Sequence, residues 1–114
     1  MNARRMAAIL GLLGVALGAF GAHALEGRLT PRGVELWEKG TLYHLVHAVA
    51  MLATARKDGG ASAATWCFAA GIALFSGSLY ALATTEVPAF GAVAPFGGTA
   101  LLAGWALILL RRGE

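Results

Sequence analysis

Charge is the scarcest ingredient of this 114-residue chain: Asp, Glu, Lys and Arg make up 13% of it, against 58% hydrophobic residues. Soluble domains carry about 25% charged and 45–50% apolar residues, so the composition is that of a membrane protein. Cysteine occurs once, as Cys67 inside an apolar run. A single thiol excludes an intrachain disulfide, and with no second soft ligand nearby it makes no thiolate metal site; Cys67 reads as a small core residue. Proline is rare (3), and the 16 glycines follow no collagen-like period. Carboxylates are few and badly placed for chemistry. Glu26, Glu35, Glu38, Asp58, Glu86 and Glu114 all fall outside the apolar runs or at their edges. No Ser/His/Asp or Cys/His arrangement can be assembled from them, so no catalytic residue, metal ligand or cofactor is assigned and the expectation leans away from an enzyme. The glycines lie within apolar runs and not between a strand and a helix, which removes phosphate-loop readings.

What is present is four apolar segments, each expected to be helical. The first, at 6–25, has about the twenty residues a bilayer-spanning helix needs. Ala22-His-Ala24 gives it some likeness to a signal-peptide cleavage site, but its apolar region is long for that, and we expect the segment to be retained. The second helix should begin at the Thr30 N-cap with Pro31 at its first position, and to be apolar only from about residue 36 or 40 to 55. Its first turns, with Arg32, Glu35, Glu38 and Lys39, belong at the interface, with Trp37 as an aromatic anchor. A glycine-containing basic turn at 56–60 leads to the third segment at 61–84. The fourth run contains Pro95, which is best placed in a first turn, so its regular helix is expected over 95–110 with Gly91–Ala94 loosely wound.

Four spans put both termini on one side. Arg4, Arg5, Arg56, Lys57, Arg111 and Arg112 gather there, against Arg28, Arg32 and Lys39 offset by four glutamates on the other, so the positive-inside rule places both termini in the cytoplasm. The formal charge of +3 is thereby a topology signal, and nucleic acid is not expected as a partner.

At about 100° per residue the small residues align. Ala7, Gly11, Gly14, Gly18 and Gly21 share a stripe of the first span. Cys67, Ala70, Gly71, Leu74, Gly77, Ser78 and Ala81 do so in the third, and Gly97, Ala100, Leu101, Gly104 and Ile108 in the fourth. In lipid, close backbone approach is the main source of helix association, so these stripes are packing seams. The second span has a larger, more polar stripe of Gly40, Tyr43, His47, Ala50 and Thr54.

Ionisable residues inside a span demand a reason. Rise per residue puts His23 about 25 Å, His44 about 16 Å and His47 about 12 Å from the cytoplasmic end, too spread for one metal ion. His23 points about 160° away from Gly21 and either locks against Glu38 or borders a site. His23, Tyr43, His47, Ser76, Ser78 and Tyr80 are the candidate ligand-binding set. Each also has a structural reading: an interhelical hydrogen bond for Tyr43 and His47, backbone bonding for the two serines.

Leu17-Gly-Ala-Phe-Gly-Ala-His23, Gly40-x-x-Tyr43-x-x-x-His47, Phe75-Ser-Gly-Ser-Leu-Tyr80 and Pro95-x-Gly97-Gly98 followed by Ala103-Gly-Trp105 resemble, in order, the blocks of the YgdD-like small membrane proteins. His44 lies outside those blocks. The resemblance implies a four-helix bacterial inner-membrane protein with a domain of unknown function, and brings no reaction, ligand or cofactor. The expectation is therefore an all-α bundle of four transmembrane helices, one multi-pass domain over 1–114, with both termini cytoplasmic. Its role is expected to be structural or accessory, with the lipid bilayer as partner and self-association through an unused small-residue face. The rival is a small-molecule, lipid or proton-handling site in the outer half.

Overall fold

The computed structural model describes residues 2–111. Arg112 and Glu114, both used in the sequence reading, lie outside the described residues. Four helices account for most of the chain: α1, Ala3–His23; α2, Pro31–Ala53; α3, Ala63–Thr85; and α4, Pro88–Leu110. No strand occurs among the described residues. Helices α1, α3 and α4 are long and apolar enough to cross a membrane. By that measure α2, with four charges in its first three turns, falls short.

Helix ends follow local chemistry. Asn2 caps α1, its side chain accepting the Arg5 N–H at 2.8 Å, and the Ala3 N–H donates to the Gly59 carbonyl at 2.8 Å, so α1 starts three residues before the expected position. Thr30 caps α2 as expected, accepting from the Gly33 N–H at 3.0 Å, with Pro31 in the first turn. Ser62 and Thr65 close a capping box at the start of α3. The turn between α2 and α3 is closed by Arg56 N–H to Gly60 O at 3.0 Å and Gly59 N–H to Arg56 O at 2.7 Å; Gly59 takes φ +85° there, a conformation glycine adopts without strain.

Two departures concern α3 and α4. The fourth helix does not begin at Pro95: it begins at Pro88, and Gly91–Ala94 is helical. Pro88 occupies the first turn, where a missing N–H costs nothing, and Pro95 sits inside the helix, where only its bond to residue 91 is lost. The α3–α4 link shrinks to Glu86 and Val87, with Glu86 left-handed at φ 58°. In α3, residues Ile72–Ser76 form a π-helical turn, closed by the Gly77 N–H on the Ile72 carbonyl. The extra residue in that turn rotates everything after it by about 100°.

That rotation breaks the third seam. Gly71 lies against Leu101 of α4, but Gly77, the first residue after the widened turn, has open space where a side chain would be. On α4, Gly97 is pressed against the backbone of Phe75 and Leu74 in the π-turn, and a methyl at Gly104 would come 2.5 Å from Phe68 Cε1. On α1, Gly14, Gly18 and Gly21 abut Leu45, Thr41 and Trp37 of α2, while Gly11, about 60° around from Gly14, meets nothing. An apolar cluster joins all four helices through Ala7, Ala48, Met51, Phe68, Ile72 and Leu101. Cys67 is half-buried and free.

Candidate functional site

Along one side of α2, Trp37, Gly40, Thr41, His44 and His47 recur every three or four residues and turn toward the other helices. The opposite side carries Leu42, Val46 and Val49. His44 is 2% exposed and His47 5%, whereas Leu42 is 60% exposed and Val49 65%. A helix with its polar side chains inside and its apolar ones outside is inverted relative to a soluble helix, and suits lipid.

His44 holds two other helices at once. Its Nε2 lies 2.8 Å from the Leu10 carbonyl of α1 and its Nδ1 3.0 Å from the Tyr80 hydroxyl of α3. A carbonyl only accepts, so Nε2 carries the proton, and Nδ1 of the neutral ring accepts from the phenol O–H. Thr41 Oγ1 lies 3.5 Å from the same phenol oxygen. The phenol has one proton, and the imidazole is the nearer acceptor.

His47 has the opposite tautomer. Its Nδ1 lies 2.7 Å from the Tyr43 carbonyl of its own helix and must donate to it, which leaves Nε2 to accept the Trp105 indole N–H of α4 at 3.0 Å. Two further bonds complete the spine: Trp37 Nε1–H to the Leu17 carbonyl of α1 at 2.9 Å, and the Ser76 hydroxyl of α3 to the Gly40 carbonyl at 2.7 Å. Every other helix is thus bonded to α2. Among the described residues no buried side-chain nitrogen or oxygen lacks a partner, and no three His, Cys, Asp or Glu are grouped as metal ligands.

The acceptors on α1 have a shared cause. In an α-helix the carbonyl of Leu10 already accepts from residue 14, and that of Leu17 from residue 21. Both those residues are glycine. A side chain at Gly21 would collide with the Trp37 indole itself, and a methyl at Gly14 would stand 3.2 Å from His44 Cδ2 and 2.7 Å from Leu45 Cδ2. The glycines uncover the second lone pair of a carbonyl one turn earlier and let an outside donor reach it.

The six candidate ligand residues do not converge. His47, Ser76 and Tyr80 join the spine. Tyr43 contributes its carbonyl and its ring, stacked on His47 at 6.0 Å and tilted on Phe75 at 4.9 Å. Ser78 donates to the Leu74 carbonyl of its own helix, within the widened turn. His23 is exposed at the end of α1, and makes no hydrogen bond or ion pair with Glu38. Trp37, expected as an interfacial anchor, is instead buried, packed at 6.3 Å on Phe20 and 4.6 Å on Tyr80. Its indole and that of Trp105, with His44, are the members that sequence reasoning did not place in the set. The signal for Trp37 and His44 lies in glycines four residues after Leu10 and Leu17. A separate cleft of about 590 Å³ between α1 and α2 reaches Gly21, Trp37 and Thr41, with Glu26 and Glu38 at its rim, but not His44 or His47.

The comparisons agree on one kind of protein. The model of the DUF423 family, described as a protein of unknown function, matches residues 17–98. The UPF0382 membrane protein YwdK of Bacillus subtilis is 40% identical over 111 residues, covering 92% of this chain and 90% of that protein. A UPF0382 membrane protein of Staphylococcus epidermidis is 38% identical over 109 residues, covering 92% and 89%. One of Staphylococcus aureus is 36% identical with the same coverage. No solved structure matches.

Proposed function

The chain belongs to the DUF423 family, and from that premise we propose that it is a four-span inner-membrane protein with a structural or accessory role and not a catalytic one. Within the family, the likeness of the four sequence blocks supports a kinship with the YgdD-like members. Residues 1–114 form one multi-pass domain with both termini in the cytoplasm, and α2 is the fourth span. Composition argues against α2 taken alone, because Arg32, Glu35, Glu38 and Lys39 crowd its first turns. Packing argues for it: its polar side chains are bonded inward to α1, α3 and α4, and its apolar stripe faces out. A helix of 23 residues is about 35 Å long, sufficient for a hydrocarbon core of about 30 Å with charges left at one interface.

The observation that carries the structural reading is the completeness of the spine. A binding or proton-handling centre keeps donors or acceptors free for its ligand, whereas the ring nitrogens of His44 and His47 are each committed to protein partners. This favours the structural reading of His47, Ser76 and Tyr80 over a ligand site that also includes His23, Tyr43 and Ser78. The deciding experiment substitutes His44 and His47 separately and follows folded yield and thermal stability beside any growth phenotype. Stability and phenotype should fall together. A variant that keeps wild-type stability yet loses the phenotype would return these residues to a ligand or proton site.

A further inference from the structure

We propose that the cleft between α1 and α2, beside their connection, binds a lipophilic monocation: an amine or quaternary ammonium carried on an apolar body. Its volume is about 590 Å³, within the range of about 300–1,000 Å³ usual for small-molecule sites. The walls are mostly apolar, with Leu25 and Leu29 from the connection and Val34, Trp37 and Leu42 from α2. Val34 is 41% exposed and Leu42 60%, so the cleft is continuous with outward apolar surface and open to a molecule dissolved in lipid. In the spine every polar side chain is committed to a protein partner. The cleft differs. Among the described residues its ionisable lining is Glu26 and Glu38 alone, and neither makes a hydrogen bond or ion pair.

The neighbouring cations belong to other surfaces. Lys39 stands about 100° around α2 from Glu38, on the face of Glu35, four residues before it. Arg32 lines the adjoining cleft together with Glu86. Arg28, two residues after Glu26, is the remaining cation of the connection; neither it nor His23 lines the cleft. Since α1 ends here and α2 begins, their dipole ends, about half an elementary charge each and opposite in sign, cancel. Two carboxylates against Arg28 leave a surplus of about one negative charge, focused at the mouth of a low-dielectric cleft, and a monocation neutralises it. An aminophospholipid offers the same ammonium, but it would bring a phosphate against both carboxylates where no cation lines the wall. A cation without a phosphate avoids that repulsion. The cleft is built from α1, α2 and their connection, so the inference stands apart from the crossing of the bilayer by α2 and from the histidine variants above.

The test uses the purified full chain in a neutral detergent, with dissociation constants read by calorimetric titration against a detergent blank. 4-Phenylbutylamine supplies charge and apolar body, 4-phenylbutanol the body alone and butylamine the charge alone. 4-Phenylbutylamine should bind at least about tenfold more tightly than either. E26Q/E38Q should weaken it about tenfold, whereas E35Q/E86Q, which removes the same charge from the same end of the bundle outside the cleft, should stay within about twofold of wild type. All four glutamate side chains are exposed and make no hydrogen bond or ion pair, so both double variants should fold as the wild type does. Absence of binding, equal affinity for the amine and the alcohol, or equal weakening by E35Q/E86Q overturns the proposal. Displacement of 4-phenylbutylamine by phosphatidylethanolamine but not by phosphatidylcholine would give the cleft to a lipid headgroup, and overturns it as well.

Discussion

His44 and His47 are three residues apart on one helix and hold opposite neutral tautomers, because in each ring a carbonyl takes the proton on a different nitrogen. Their energetic weights should differ. His44→Phe removes two interhelical bonds and His47→Phe one, and such bonds average about 0.6 kcal/mol with a ceiling near 1.7 kcal/mol. Unfolding of the purified protein by denaturing detergent should therefore show His44→Phe costing about 1–3 kcal/mol and His47→Phe about half that. A larger loss for His47→Phe would contradict the assignment. The role of Gly21 as a window to the Leu17 carbonyl makes a second prediction. Gly21→Ala should cost about 1–3 kcal/mol by overpacking against the Trp37 indole. In the Trp37→Leu background most of that cost should vanish, giving a coupling above about 0.5 kcal/mol in the double-mutant cycle. Additive effects would show that Gly21 and the indole are independent. Only part of this is visible from residue types: they give His47 an interhelical bond and the glycines a seam with His23 turned away from it, whereas the bonds of Trp37 and His44 run to main-chain carbonyls. A backbone acceptor leaves no mark in composition, and the only trace is the four-residue offset from each leucine to a glycine.

Elements were more legible than partners, up to the point where a helix stops being regular. The Thr30-Pro31 start of α2, the 56–60 turn and the apolar runs of α1 and α3 all follow from capping chemistry and hydropathy. The two misjudged stretches share a cause, since both assumed that a helix is either regular or absent. By sequence Pro95 reads as the start of α4, yet proline removes only one ladder bond and a helix begun at Pro88 continues through it. The π-turn at Ile72–Ser76 shifted the third seam by one residue, so Gly77 misses α4 while Gly97 meets the widened backbone. Alanine substitutions sort these glycines. Gly97→Ala and Gly104→Ala should each cost at least about 2 kcal/mol, because backbone or a packed ring must move. Gly11→Ala and Gly77→Ala should be neutral or stabilising by up to about 1 kcal/mol, since the added methyl meets nothing and helix propensity improves. Thermal unfolding of the four variants in one detergent is the measurement. A Gly77→Ala variant as damaged as Gly97→Ala would mean that α3 is regular in solution.

For the molecule as a whole, the open matter is whether α2 crosses the bilayer with its neighbours. Counting apolar helices gives three spans, which would leave the α1–α2 and α2–α3 connections on one side. The spine favours four, because an interfacial α2 would have to surrender the bonds of His44 and His47 to α1, α3 and α4. The two arrangements differ in where Arg28 and Lys57 lie. In a Cys67→Ala background, Arg28→Cys and Lys57→Cys supply single thiols in the two connections, and a membrane-impermeant maleimide reports which side each faces. Four spans predict that Arg28→Cys is labelled from outside intact cells, whereas Lys57→Cys is labelled only after permeabilisation, in keeping with the basic residues at that end. Labelling of both thiols from the same side would reduce the protein to three spans. A reversed pattern would keep the four spans and place the basic face outside the cell.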